Sequence, residues 1–94
     1  MTRDEHLLTI AAEECVEVAQ QLTKALRFGM EEVQPGQELT NRQRIIAEFT
    51  ELVAVLEMAG FPLQVVNGRV IDAKVAKVEH FLKYSAECGR LYVS

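Results

Sequence analysis

No stretch of this sequence approaches the roughly 20 consecutive apolar residues that a membrane-spanning helix needs, and a span is therefore not expected. The first fifteen residues, MTRDEHLLTIAAEEC, place acids where a signal peptide has a basic start and an unbroken apolar run, so an intracellular, cytoplasmic chain is expected. Cysteine is scarce. Cys15 and Cys88 stand far apart with no C-x-x-C pair, which excludes a cysteine-built zinc or redox centre. Cys15 falls on an apolar helical face and is expected to be a small buried residue. Basic residues are outnumbered, ten Lys and Arg against fourteen Asp and Glu, for a net charge of −4. With a pI near 5.1, a nucleic-acid backbone is not the expected partner, because phosphates call for a basic surface. A nucleotide whose phosphates arrive with a divalent cation is still compatible with this balance. Also missing are a Gly-rich phosphate loop, a G-x-S-x-G turn and the D-x-D-x-D-G spacing of an EF-hand.

What remains is a single small domain over residues 1–94, 49% hydrophobic and 26% charged, an ordinary globular composition. A chain this short buries less than about two-thirds of its unfolded surface, so a metal or self-association is an expected source of extra stability. Its pattern is helical throughout. Thr2-Arg3-Asp4-Glu5 is a T-x-x-E capping box. Leu8, Ala11, Ala12, Cys15, Ala19, Leu22 and Leu26 follow at helical spacing, and Gly29 marks the stop. Residues 30–39 hold Pro35-Gly36 and predict a loop. Thr40-Asn41-Arg42-Gln43 is a second capping box, opening a helix that runs to about Ala59 before Gly60 and Pro62. Residues 61–71, with Asn67-Gly68, are assigned as a connector. Asp72 then caps a third helix with Val75, Val78, Phe81 and Leu82 as its stripe and Gly89 as its stop. From Ile45 to Ala59, eleven of fifteen residues are apolar. Three helices cannot cover so apolar a second helix, so the expected fold is all-α: a helical hairpin plus a third helix, completing a four-helix-bundle-like core by oligomerisation.

The acids break this pattern. On the first helix Glu13, Glu14 and Glu17 fall within an arc about 100° wide that also holds Ile10 and borders Val18. On the second, Glu48 and Glu51 are again three apart with Val55 between them in projection, while the polar strip of that helix lies elsewhere, at Gln43, Thr50 and Glu57. Carboxylates are seldom buried unless paired or coordinating a metal. Apposing two such pairs without a cation raises each neighbour's pKa, and a hard divalent cation reverses the sign of that interaction. Oxygen ligands without His or Cys favour Mg²⁺ or Mn²⁺ over zinc. A solvated stripe is the alternative for Glu13, and ion pairing with a partner chain is the alternative for Glu48 and Glu51. A di-iron bundle would need E-x-x-H, but Arg3 and Lys77 stand three before His6 and His80, so His80 is expected to be an ordinary residue of the third helix.

Glu13-Glu14-x-x-Glu17 followed by Glu48-x-x-Glu51 resembles the EExxE…ExxD signature of MazG-like all-α nucleoside triphosphate pyrophosphatases. The segments KALRFG (24–29), TNR (40–42) and KVEHFL (77–82) resemble the short phage and bacterial members, so the likeness spans nearly the whole chain. It implies Mg²⁺-dependent hydrolysis of a (deoxy)nucleoside triphosphate to the monophosphate and pyrophosphate, in a homo-dimer or tetramer. Carried over by position, Glu14, Glu17, Glu48 and Glu51 are the catalytic metal ligands, with Glu13 supporting them. The last acid departs from the family's Asp: Glu51 reaches one methylene further, and Mg²⁺ is exacting about octahedral geometry, so Mn²⁺ is a second candidate ion. Lys24, Arg27, Lys74 and Lys77 are the candidate phosphate contacts. Lys24 and Arg27 also suit the C-terminal end of a helix dipole, and Lys74 and Lys77 suit a solvated face. The alternative functions are a catalytically weak nucleotide-binding or regulatory module of the same fold, and a purely structural helical oligomer.

Overall fold

The computed structural model describes residues 1–63 and 67–92, and among them the regular structure is entirely helical. The chain divides into two compact units, Met1–Leu63 and Gln64–Ser94.

The first unit is an antiparallel hairpin of α1 (Arg3–Phe28) and α2 (Asn41–Met58). Both helices begin where the capping boxes predict. Thr2 Oγ1 accepts from the Glu5 N–H at 3.1 Å while Glu5 returns a carboxylate oxygen to the Thr2 N–H at 3.2 Å. Thr40 and Gln43 repeat the exchange at 3.1 and 2.9 Å. Each reciprocal pair satisfies two of the amide donors that every helix start leaves unpartnered. Gly29 ends α1 with φ at 102°, a left-handed value that a side chain would strain. After α2, Gly60 takes φ at 88° and the Phe61 N–H returns to the Leu56 carbonyl at 3.0 Å, closing the last turn.

Between the helices, residues 29–40 are pinned at their far end by α2 itself. The Asn41 N–H donates to the Glu32 carbonyl at 2.9 Å and the Arg42 N–H to the Met30 carbonyl at 2.8 Å. The fully buried Asn41 side chain donates to the Gly29 carbonyl at 2.8 Å and to Glu32 Oε1 at 3.1 Å. Arg42 pairs with Glu31 at 2.6 Å on the surface.

The face of α1 turned to α2 is not the apolar stripe that the sequence suggests. Leu7, Ala11, Gln21 and Ala25 are buried, and Glu14 and Val18 are half-buried, at spacings of four and three along one seam. Leu8, Leu22 and Leu26 lie about a quarter-turn away and remain exposed, Leu26 by 86%. Cys15, expected to be buried, sits on that outer stripe and is exposed.

The second unit contains α3 (Gly68–Glu87). It starts four residues before the expected Asp72, because Asn67 supplies the cap: its Oδ1 accepts from the Arg69 N–H at 2.8 Å. Residues 68–71 of the expected connector are thus helical, and residues 64–66 of it lie outside the described residues. No described helix is long and apolar enough to cross a membrane.

Candidate metal centre

Antiparallel pairing sets the register of the hairpin. Asn41 meets the end of α1 at Gly29, so walking back along α1 and forward along α2 brings Glu17 opposite Glu48, and Glu14 opposite Glu51. The four carboxylates converge: each offers one oxygen, and all four oxygens lie within 4.8 Å of one another. Glu14 and Glu48 are half-buried nearer the seam, while Glu51 is more exposed at its edge.

Glu14 Oε2 and Glu48 Oε2 are inaccessible to solvent and accept no hydrogen bond. Leaving such an atom unsatisfied is unfavourable, and the more so when it carries charge. No cation of the chain relieves it, since the only ion pair among the described residues is Arg42 with Glu31. The protonation behaviour reflects this. Burial, followed by the close approach of Glu17 and the charge of Glu51, pushes Glu48 up to about 7. Glu14 is also raised, first by burial and then by the charges of Glu17 and Glu51. Both groups lack a positive charge in their midst.

A divalent cation suits this geometry. Opposite oxygens on one octahedral Mg²⁺ are about 4.2 Å apart, and on the larger Ca²⁺ about 5 Å. A spread of 4.8 Å therefore accommodates a hard cation with a few tenths of an ångström of side-chain adjustment. The donor set is all oxygen, which excludes the usual zinc ligands.

Glu13 lies outside this set of four and is exposed, on the same open flank of α1 as Glu17. Lys24 is half-buried two turns beyond Glu17, and Arg27 is exposed with its guanidinium over the Phe28 ring at 4.9 Å. Lys74 and Lys77 are exposed on α3, in the other unit. His80 also lies on α3, edge-on to the neighbouring Phe81 ring at 5.4 Å.

Three polar residues of the hairpin escaped the sequence reading. Asn41 was legible only as the first helical position after a cap. Gln21, 5% exposed with Oε1 unpartnered, and Arg44, half-buried, are the others. Their signal is the four-three spacing that runs Leu7, Ala11, Glu14, Val18, Gln21, Ala25 through the seam, a pattern that puts polar groups among the most buried positions.

Compared with protein-family models, with curated proteins and with solved structures, the chain gives no match. Fold and site together define a helical hairpin that carries a four-carboxylate candidate metal centre on one flank.

Proposed function

We propose that the chain is a metal-dependent nucleoside triphosphate pyrophosphohydrolase of the cytoplasm, converting a (deoxy)nucleoside triphosphate to the monophosphate and pyrophosphate. The observation that carries this reading is the meeting of Glu14, Glu17, Glu48 and Glu51 in a half-apolar seam with two buried, unpartnered oxygens. These residues occupy the positions that the MazG-like signature marks. They would hold Mg²⁺, or Mn²⁺, with Glu13 as a supporting acid on the open flank.

A divalent cation bound there supplies Lewis acidity toward a phosphate oxygen and lowers the pKa of water. The chain's own groups set the rest. Glu14 and Glu48, deeper in the seam, fix the ion's position, while the more exposed Glu17 and Glu51 edge leaves a side from which phosphates approach. In the cation-free protein Glu48 carries a proton to near neutrality, so loading of the site releases a proton as the carboxylate ionises. Lys24, Arg27, Lys74 and Lys77 are the proposed phosphate contacts. Apolar side chains beside the seam suit a nucleobase, as small-molecule sites usually do.

Assembly as a homo-dimer or tetramer belongs to the same reading. Leu8, Leu22 and Leu26 of α1 lie on the flank opposite the glutamates, and helical phase puts Ile46 and Phe49 of α2 on that flank too. All five are at least 50% exposed in the single chain, an apolar face of the kind that marks an interface.

The test is pyrophosphate release across the common nucleoside and deoxynucleoside triphosphates, with Mg²⁺, with Mn²⁺ and with chelator. Cation-dependent release supports the enzyme. Nucleotide binding without release supports the second reading, a catalytically weak nucleotide-binding module, which the longer Glu51 at the family's Asp position favours.

A further inference from the structure

The hairpin's five basic residues divide by environment. Arg3, Arg27 and Arg42 are exposed, Arg27 stacking on Phe28 and Arg42 pairing with Glu31. Lys24 and Arg44 are half-buried, one on each helix, and no carboxylate among the described residues lies within ion-pair distance of either. A partly buried cation without a counter-charge is unfavourable for the same reason as the unpartnered glutamate oxygens.

Their positions are related to the glutamates by the helical repeat. Lys24 follows Glu17 by seven residues and Arg44 precedes Glu51 by seven. Seven residues make nearly two turns, so each base lies within about 20° of its glutamate in projection and about 10 Å further along the axis. Because the helices are antiparallel, both displacements run the same way, toward the interhelical loop. Both bases also fall on the flank that holds Glu17 and Glu51, since each is offset from the seam in the same sense as its glutamate. Between the two charge clusters sits Gln21, 95% buried, with an oxygen that no group satisfies. The open flank of the hairpin thus reads, from the middle toward the loop, as four carboxylates, a buried carboxamide, and two cations.

We propose that Lys24 and Arg44, with Gln21 between them and the glutamates, form an anion subsite for the far end of a polyphosphate chain whose near end is held by the cation on Glu14, Glu17, Glu48 and Glu51. This rests on the metal-centre reading and adds Arg44, which neither the acidic motif nor the earlier basic candidates include. A single phosphate cannot serve both clusters, because the axial offset is about 10 Å and only the long basic side chains can shorten it. Linked phosphates span that gap. Arg44 adds a planar fork of donors suited to two phosphate oxygens, and Lys24 adds a point charge. The preferred ligand is therefore a chain of at least two, and best three, linked phosphates, ranked by phosphate number before base identity. Arg27, committed to Phe28 on the outside, is not part of the subsite.

Inorganic tripolyphosphate, free of any base, tests this by titration calorimetry in Mg²⁺ against orthophosphate. The variants are Lys24→Gln, Arg44→Gln, their double, and Arg44→Lys, with Mn²⁺ titration of each as the control on the glutamates. The expected result is that wild type binds tripolyphosphate at least ten-fold more tightly than orthophosphate. Each Gln variant should lose that preference by at least ten-fold with Mn²⁺ affinity unchanged, and Arg44→Lys should fall between. A double variant that binds Mn²⁺ and tripolyphosphate as wild type does overturns the subsite and leaves the metal centre standing. A wild type that binds no Mn²⁺ overturns the metal centre and the subsite with it.

Discussion

The Asn41 amide donates to the Gly29 carbonyl at 2.8 Å, tying the first residue of α2 to the residue that ends α1. With its second bond to Glu32 and no exposure at all, this side chain fixes the distance between the two helix ends and hence the register that apposes the glutamates. Asn41→Ala removes both bonds and strands a buried carbonyl and carboxylate, so a loss of about 1–3 kcal/mol of stability is expected. Asn41→Asp should be no better, because it sets a second carboxylate against Glu32. Chemical denaturation measures both, and an unchanged midpoint for Asn41→Ala would show that the register is held elsewhere.

Glu48 makes the cation-free protein pH-sensitive in a defined direction. Its carboxyl titrates near 4.5 when unfolded and is pushed up to about 7 in the fold. A raised carboxylate pKa means that the folded state prefers the proton. The protein is therefore favoured at low pH, loses stability as pH climbs from 4.5 to about 7, and does not regain it above. Glu14, shifted the same way, adds to the trend. Thermal melts in EDTA from pH 5 to pH 8 should show a falling midpoint for wild type and a flatter profile for Glu48→Gln. At pH 8 in EDTA the variant should melt higher than wild type. A lower melt there is the outcome expected if Glu48 instead belongs to a salt bridge.

Mg²⁺ should reverse that order. A cation present at about a hundred times its dissociation constant stabilises the fold by about 2.7 kcal/mol, provided that it does not bind the unfolded chain. Wild type should gain a shift of that size in Mg²⁺ over EDTA, and Glu14→Gln and Glu48→Gln should gain little. An amide keeps the shape of the side chain and withdraws the charge that a hard cation seeks.

Activity separates the ligands from their surroundings. Glu14→Gln and Glu48→Gln are expected to lower Mg²⁺-dependent pyrophosphate release by at least about 100-fold with the helical circular dichroism spectrum intact. Glu51→Asp shortens the most exposed of the four and should preserve or raise turnover, with a smaller advantage for Mn²⁺ over Mg²⁺. Full turnover in either Gln variant would remove these residues from the reaction.

The outer apolar face should be covered in solution. Sedimentation of wild type is expected to give a dimer or tetramer of the 10.6 kDa chain. Leu26→Glu combined with Phe49→Glu places two charges on that face and should shift the population toward monomer. A wild type that sediments as a monomer at low micromolar concentration ends the oligomer proposal.

Local signals were sufficient for the ends of the hairpin helices. A capping box is written within four consecutive residues, and Gly29 and Gly60 stop helices because their left-handed backbone strains any side chain, so Thr2, Thr40 and both glycines could be placed from sequence alone. The glutamate pairs were legible as well, because two carboxylates three apart on an apolar helix contradict their surroundings wherever the partner helix stands. Helical periodicity does not say which flank meets which neighbour. The stripe of Leu8, Leu22 and Leu26 is the more apolar one, yet α2 packs on Leu7, Ala11, Gln21 and Ala25, because small residues let the backbones approach and the Asn41 latch sets the rotation. That choice exposes Cys15 and buries Gln21. It also brings Lys24 and Arg44 to the same flank as the glutamates, a relationship that only antiparallel register creates. The start of α3 differs for a local reason: Asn67 and Asp72 can both cap, and the earlier cap adds a turn of helix. Sequence by itself determined the helices and the acids. The tertiary structure decided which faces meet, because packing depends on the shape two surfaces make together and neither helix encodes that alone.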